Sequence, residues 1–423
     1  RCRHDNNRVN RRERNSNGKM RTSNLNRLLR HTAPHRFLLL CLPFTASCSE
    51  GSVPEPCAEL PTRTVLVYLA GDNNLEEIGR TPELLRQGWK DTGSKCLIYY
   101  DAPQAAPKLF ALTIRHSDAS SVLETVEEYP EENSSSAGVF GRVLADVVRK
   151  YPSDSYGLIF ASHGSGWLPC GALSDPTRTI GDDRTPGTTG GAREMEITDF
   201  AAAIPDHQFD FIIFEACLMS GIEVAYELRN KTDYLLASSA ELLVPGYAPV
   251  YPTAFQYLFD TSLGVPQALE KFAGSYFNYI DTRNGAYRSA TQSIVYTREM
   301  DALAILAGKT TGNTHGRWDD ALLGKLQHFD RPGSYGDIPA RPRYFDFGQY
   351  MAYLAPERQA DLDALLRKTV VWKAATPEFM AGYNGFTILT HSGLTTYIEQ
   401  DEFPELNAAY KKTAWWKATH VQK

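Results

Sequence analysis

The chain has 423 residues, 42% of them hydrophobic, a formal net charge of −6 and a pI near 6.0. That length can bury a large core and hold more than one domain. The acidic balance excludes a general nucleic-acid binder.

The charge is unevenly spread. Residues 1–36 carry 11 Lys/Arg against two acids, and the rest of the chain holds 33 basic and 48 acidic residues. The basic head precedes FLLLCLPFTAS (37–47), an apolar run of eleven residues. This is short of the roughly 20 needed to span a bilayer and suits the core of a secretory signal. The run leads into Thr45-Ala46-Ser47-Cys48, which resembles the lipobox of bacterial lipoproteins, with Thr45 where that motif usually has Leu. The expectation is a leader over 1–47, Cys48 as the lipidation site and a tether over 48–62. A cleaved secretory signal and a disordered basic tail are the alternatives. Met20 is a candidate start, which makes 1–19 untranslated. The exported protein is then anchored in the bacterial cell envelope or at the cell surface by its lipid alone, or it is secreted.

The first apolar, β-prone run, TVLVYLA (64–70), is followed by a helix-like stretch over 74–88. CLIYYDA (96–102) comes next, with KLFALTIRHS (108–117) as its hairpin partner, then a helix over 138–150 and YGLIFA (156–161). The segment 168–195 is rich in Gly, Thr, Pro and Asp and lacks periodicity, and a loop of that length in a compact domain is usually functional or mobile. FDFIIFEA (209–216), a helix-like stretch over 218–230 and DYLLASS (233–239) complete the rhythm. Near-continuous apolar strands alternating with amphipathic helices predict an α/β protein with a mostly parallel sheet covered on both faces. This core spans 63–245. From 246 to 423 the pattern loosens into helical stretches at 265–281, 299–309, 344–355 and 357–373 and strands at 292–297 and 385–390. That region is a C-terminal α/β elaboration that completes the core or packs on it.

Seven cysteines occur, without CxxC or His/Cys zinc spacing. Cys57, Cys96, Cys170 and Cys217 remain beyond the leader and its anchor, and allow one disulfide. The chemistry lies at two strand ends. YGLIFASHGSGW (156–167) stops on His163 and FDFIIFEACLMSG (209–221) stops on Cys217, 54 residues later. Parallel strands present their C-terminal ends on one edge, where ligands bind. An imidazole and a thiol there are the parts of an activated cysteine nucleophile. Helical periodicity after Cys217 places the thiol at a helix N-terminus, whose dipole lowers its pKa. The Gly164 and Cys217 amides are candidate oxyanion-hole donors. Ser165 in HGSGW does not match the G-x-S-x-G elbow of serine hydrolases.

Three stretches, LVYLAGDNNLE (66–76), FASHGSGW (160–167) and IIFEACLMSGIEVAYEL (212–228), resemble the clostripain family of cysteine peptidases, within the group that includes caspases, legumains and gingipains. IGDDRTPG…MEITDF (180–200), YFDFGQYMAYL (344–354) and NGFTILT (384–390) extend the likeness. The resemblance implies a three-layer αβα sandwich of caspase type with a His163–Cys217 dyad hydrolysing peptide bonds. Family members mostly cleave after Arg or Lys, read by an acid two positions before the cysteine. Here that position is Glu215, where the family usually has Asp. Ser239 and Glu241, in a Ser/Glu-rich turn after the next strand, are further candidates for flanking the bound basic side chain. Asp72 and Asn73 match a family signature and are assigned to capping the helix that follows the first strand rather than to substrate contact. Some relatives cut themselves between the His and Cys segments, which makes Arg178, Arg184 and Arg193 candidate sites. No cofactor is required, although some members need calcium, for which Asp182 and Asp183 are conceivable ligands. Peptides and proteins are the expected partners, with no nucleic acid. The rival readings are an inactive peptide-binding envelope lipoprotein on the same scaffold and a cysteine transpeptidase or amidase.

Overall fold

The computed structural model describes residues 62–173, 180–184, 194–311, 320–334 and 339–420. The chain divides into two units, 1–57 and 58–423, and all of these residues belong to the second. The expected leader and Cys48 lipidation site, and the candidate cleavage sites Arg178 and Arg193, lie outside the described residues.

The strands are β1 (Arg63–Ala70), β2 (Lys95–Asp101), β3 (Lys108–Ile114), β4 (Ser121–Glu128), β5 (Ser155–Ala161), β6 (Phe209–Glu215), β7 (Thr232–Ala237), β8 (Thr291–Tyr296), β9 (Phe345–Asp346), β10 (Val370–Ala375), β11 (Glu378–Phe379), β12 (Phe386–Thr387) and β13 (Thr395–Thr396). The helices are α1 (Thr81–Gly88), α2 (Ala137–Lys150), α3 (Ile197–Ala202), α4 (Ile222–Glu227), α5 (Tyr251–Ala254), α6 (Val265–Asp281), α7 (Met300–Thr311), α8 (Asp320–Leu323), α9 (Phe347–Leu354), α10 (Gln359–Thr369), α11 (Pro404–Tyr410) and α12 (Ala414–Thr419). Nine strands form one sheet in the order β10-β8-β7-β6-β5-β1-β2-β3-β4. The five central strands, β2-β1-β5-β6-β7, are parallel, and antiparallel strands finish both edges.

Alternation along β1 divides the core. Leu66, Tyr68 and Ala70 face one layer with Phe140 of α2, Phe200 of α3 and Val224 of α4. Val65, Val67 and Leu69 face the other, with Leu85 of α1, Tyr251 of α5 and Phe272 of α6. Because strands of a parallel sheet are buried on both faces, their runs read as continuously apolar rather than alternating. On the first face Tyr68 stacks on Phe160 with ring centroids 5.3 Å apart, and Phe140 on Phe200 at 4.8 Å. Each fully buried large side chain of this kind contributes roughly 1.5–3 kcal/mol. The result is an αβα sandwich.

The C-terminal half adds β8 and β10 to the same sheet. Several elements differ from the sequence reading. The helix expected over 357–373 ends at Thr369, and Val370-Val371-Trp372 starts an edge strand, as β-branched and aromatic residues favour. The stretch 385–390 keeps only two paired residues, Phe386–Thr387. Half-exposed β4 alternates with acids and was not foreseen as a strand. The helix after Cys217 is also shorter, for a reason that bears on the site.

Candidate active site

β1, β5 and β6 lie side by side, so the segments leaving their C-terminal ends meet at one edge. His163 follows β5 after Ser162, which is tied to both neighbours: its amide donates to Glu215 O at 3.3 Å and its hydroxyl to Ala70 O at 3.0 Å. His163 is almost fully buried, and its Nε2 lies 2.7 Å from Asn74 Oδ1. An amide oxygen only accepts, so this contact places the proton on Nε2 and makes Nδ1 the basic nitrogen of the ring. Asn74 is presented by a pinned loop. The Asn73 side chain accepts from Leu75 N (2.8 Å) and donates to Ala70 O (2.7 Å) and Asp182 O (2.9 Å). Arg184 N donates to Asp72 O (2.8 Å) and Gly181 N to His163 O (3.0 Å), so the segment 180–184 braces the whole imidazole side.

Cys217 follows β6 but does not open a helix. Leu218 has φ 62°, in the left-handed region, and α4 begins only at Ile222 after an extended Gly221. The expected helix-dipole effect on the thiol is therefore corrected: Cys217 sits in a loop, and a buried non-glycine residue beside it holds an uncommon backbone conformation. Backbone bonds fix that loop, from Leu218 N to Ala240 O (3.0 Å), Ser220 N to Ser238 O (3.0 Å) and Thr395 N to Ser220 O (2.9 Å). Cys217 Sγ lies 3.8 Å from Leu242 O. Gly164 is why the two sides can close up. A Cβ there would fall 2.7 Å from Cys217 O and 2.9 Å from Ala216 Cβ.

His163 and Cys217 line one cleft, together with Leu75, Glu77, Ile78, Thr81, Glu215 and a wall of Leu242 and Val244–Gly246. Glu215 lies inside it. Tyr247 N donates to its Oε1 (2.7 Å) and the Tyr251 hydroxyl to its Oε2. Burial pushes this carboxyl up to about 7, against the pull of those two donors. A Cβ on Gly246, at φ 62°, would come within 2.3 Å of Glu215 Oε1, so only glycine seats the wall against this acid.

Ser239 and Glu241 do not line the cleft. Ser239 Oγ meets His391 Nε2 at 3.1 Å, and Glu241 takes the Arg331 guanidinium at 2.7 and 2.8 Å. They stand behind the wall, where Ala240 packs with Phe329 and Phe379 and Leu243 lies against them. Asp183 Oδ2 accepts from Ser134 N (2.5 Å) and Oγ (2.8 Å), and Asp182 lies 3.4 Å from Arg184. Among the described residues no group of three or more His, Cys, Asp or Glu is placed to hold a metal ion. Burial pushes the Cys96 thiol well up. Asn74 and Glu77 were not singled out from the sequence. The Asp-Asn-Asn run after β1 was the available signal for the first, since β1 ends on the same edge as His163.

A thiol and an imidazole at adjoining strand ends of this sandwich, beside a cleft with an acid inside it, are the parts that a cysteine peptidase needs. The clostripain family profile matches residues 67–306. The clostripain of Hathewaya histolytica is 26% identical over 290 residues, covering 61% of this chain and 52% of that protein, so the chain spans about half the length of this curated relative. An inactive zymogen C11 protease from Parabacteroides distasonis superposes with a TM-score of 0.68 at 29% identity, over 85% of this chain and 98% of that one. A secreted C11 cysteine protease from Bacteroides thetaiotaomicron, solved with an irreversible peptide inhibitor, gives 0.71 at 25% identity, over 85% and 99%. The chain belongs to the clostripain family, and its sandwich is of the caspase type.

Proposed function

We propose that the protein is an exported cysteine endopeptidase that cleaves after Arg or Lys. Cys217 attacks the scissile carbonyl and forms a C–S bond. The Gly164 and Cys217 amides hold the oxyanion, and His163 protonates the departing amine as the C–N bond breaks. Water then attacks the thioester with His163 as base, releasing the acid and restoring the thiol. The observation that carries the basic preference is the composition of the cleft: among the described residues, Glu215 and Glu77 line it with Cys217 and His163, and no Lys or Arg does. Cutting within 168–195, after Arg178, Arg184 or Arg193, is the proposed maturation step. A lipid on Cys48 is the proposed anchor.

The test is hydrolysis of fluorogenic peptides ending in Arg, Lys, Asp, Asn or Leu by wild type and Cys217→Ala, with a gel following cuts in 168–195. Arg or Lys turnover that is lost in the variant supports the reading. Turnover of other residues only would sink the basic preference. Transfer to an added amine in place of hydrolysis would indicate a transpeptidase, and no turnover from folded protein a binding scaffold.

A further inference from the structure

Glu77 belongs to a 3₁₀ turn, Glu76–Arg80, between the pinned 71–75 loop and α1. Its neighbours Leu75, Ile78 and Thr81 line the cleft with it, as do Leu242 and Val244–Gly246. The turn is fixed at its start by Leu75 N on Asn73 Oδ1 and Ile78 N on Leu75 O, at 2.8 and 3.0 Å. Glu77 is thus presented by a rigid edge rather than by a loose loop. Its side chain is 44% exposed and pairs with Arg80, 71% exposed, at 3.3 Å. An exposed pair three residues apart is worth only about 0–0.5 kcal/mol, so an arriving cation displaces it readily. Arg80 itself does not line the cleft.

The two cleft carboxylates are in different situations. Both oxygens of Glu215 are occupied, by Tyr247 N and the Tyr251 hydroxyl, so they offer a bound cation a reduced set of lone pairs. Glu77 instead holds a partner it can exchange.

We infer that Glu77 is a specificity-determining residue: its carboxylate exchanges Arg80 for the basic side chain preceding the scissile bond, and so shares with Glu215 the reading of that cation. This rests on the basic preference proposed above. It also assigns Arg80 a role of opposite sign, as an internal competitor for the same carboxylate.

That opposition makes the test sharp. Lys, Arg and Leu peptides are compared on wild type, Glu77→Gln and Arg80→Ala, at low salt and at 1 M NaCl. Glu77→Gln is expected to lower kcat/KM for Lys and Arg peptides about tenfold more than for the Leu peptide, mainly through KM. Arg80→Ala is expected to move the same ratio about twofold the other way. Both differences should shrink at 1 M salt, where the screening length is about 3 Å. Variants that shift the ratio in the same direction, or leave it fixed while wild type prefers basic residues, would overturn the inference and leave the basic preference standing. A wild type without that preference would overturn both.

Discussion

The two sides of the cleft are held differently. On the imidazole side, side chains join main-chain bonds in the fastening: Asn74 on His163, and Asn73 on both the end of β1 and Asp182. That side leans on 180–184, a segment within the long loop that separates the two catalytic motifs. On the thiol side, main chain fastens to main chain, with Cys217–Gly221 stitched to 238–240 and to Thr395. Thr291 of β8 secures that brace through Ser238 Oγ and Ala240 N, both at 2.9 Å. The lesson is a division of labour. Side-chain substitutions reach His163, the proposed base, easily, whereas Cys217, the proposed nucleophile, yields mainly to changes that disturb backbone.

The largest effect is expected where the sides touch. Gly164→Ala forces a methyl onto Cys217 O and Ala216, and neither neighbour is the end of a flexible side chain. Peptide hydrolysis should fall by about 10²–10³, in line with the loss of oxyanion stabilisation, while the folded sheet persists by circular dichroism. Retained activity would show that the sides are not packed as described.

Asn74 comes next. Asn74→Ala removes the acceptor on Nε2, and kcat should drop about 10–100-fold with KM little changed. Asn74→Asp supplies a charged acceptor that favours the imidazolium, so much of kcat should return and the alkaline limb of the pH profile should move to higher pH. Equal loss in both variants with an unmoved profile would reduce Asn74 to a structural loop residue.

Glu215 gives a subtler effect. Its carboxyl titrates near 7, so the ratio of basic-peptide to neutral-peptide kcat/KM should rise as pH increases through 7. Glu215→Gln should abolish that limb.

The smallest change concerns stability behind the site. Asp101, at the end of β2, is raised to about 8, first by burial, with Ser134 pulling down and Asp183 pushing up. The unfolded carboxyl titrates near 4, so between about pH 4 and 8 the folded state holds the extra proton and stability falls as pH rises. Asp101→Asn should therefore stabilise the protein by about 1–3 kcal/mol at pH 8 and by almost nothing at pH 4, read from melting curves.

Much of this was legible in the sequence because parallel strands buried on both faces advertise themselves as apolar runs, and two such runs end on His163 and Cys217. The rest depended on contacts between distant residues. Glu241 is taken by Arg331, 90 positions away, and Ser239 by His391, 152 away. No local pattern reports such pairings. The short α4 follows from the left-handed Leu218, where helical periodicity in the sequence continued unbroken. Perturbed acidity alone would also have misled. Burial raises Glu223 to about 7 as well, yet Glu223 lies in α4 accepting from Tyr397 N and the Thr396 hydroxyl, away from the cleft-lining residues. Position in the cleft distinguishes Glu215.

The most direct measurement is covalent labelling. The full chain would be treated with a lysyl acyloxymethyl ketone, then subjected to intact-mass analysis and peptide mapping. The account predicts a single adduct on Cys217, formed much more slowly when His163 is replaced by Ala. Modification of Cys96 or Cys170 instead, or a folded chain that takes up no label, would contradict it.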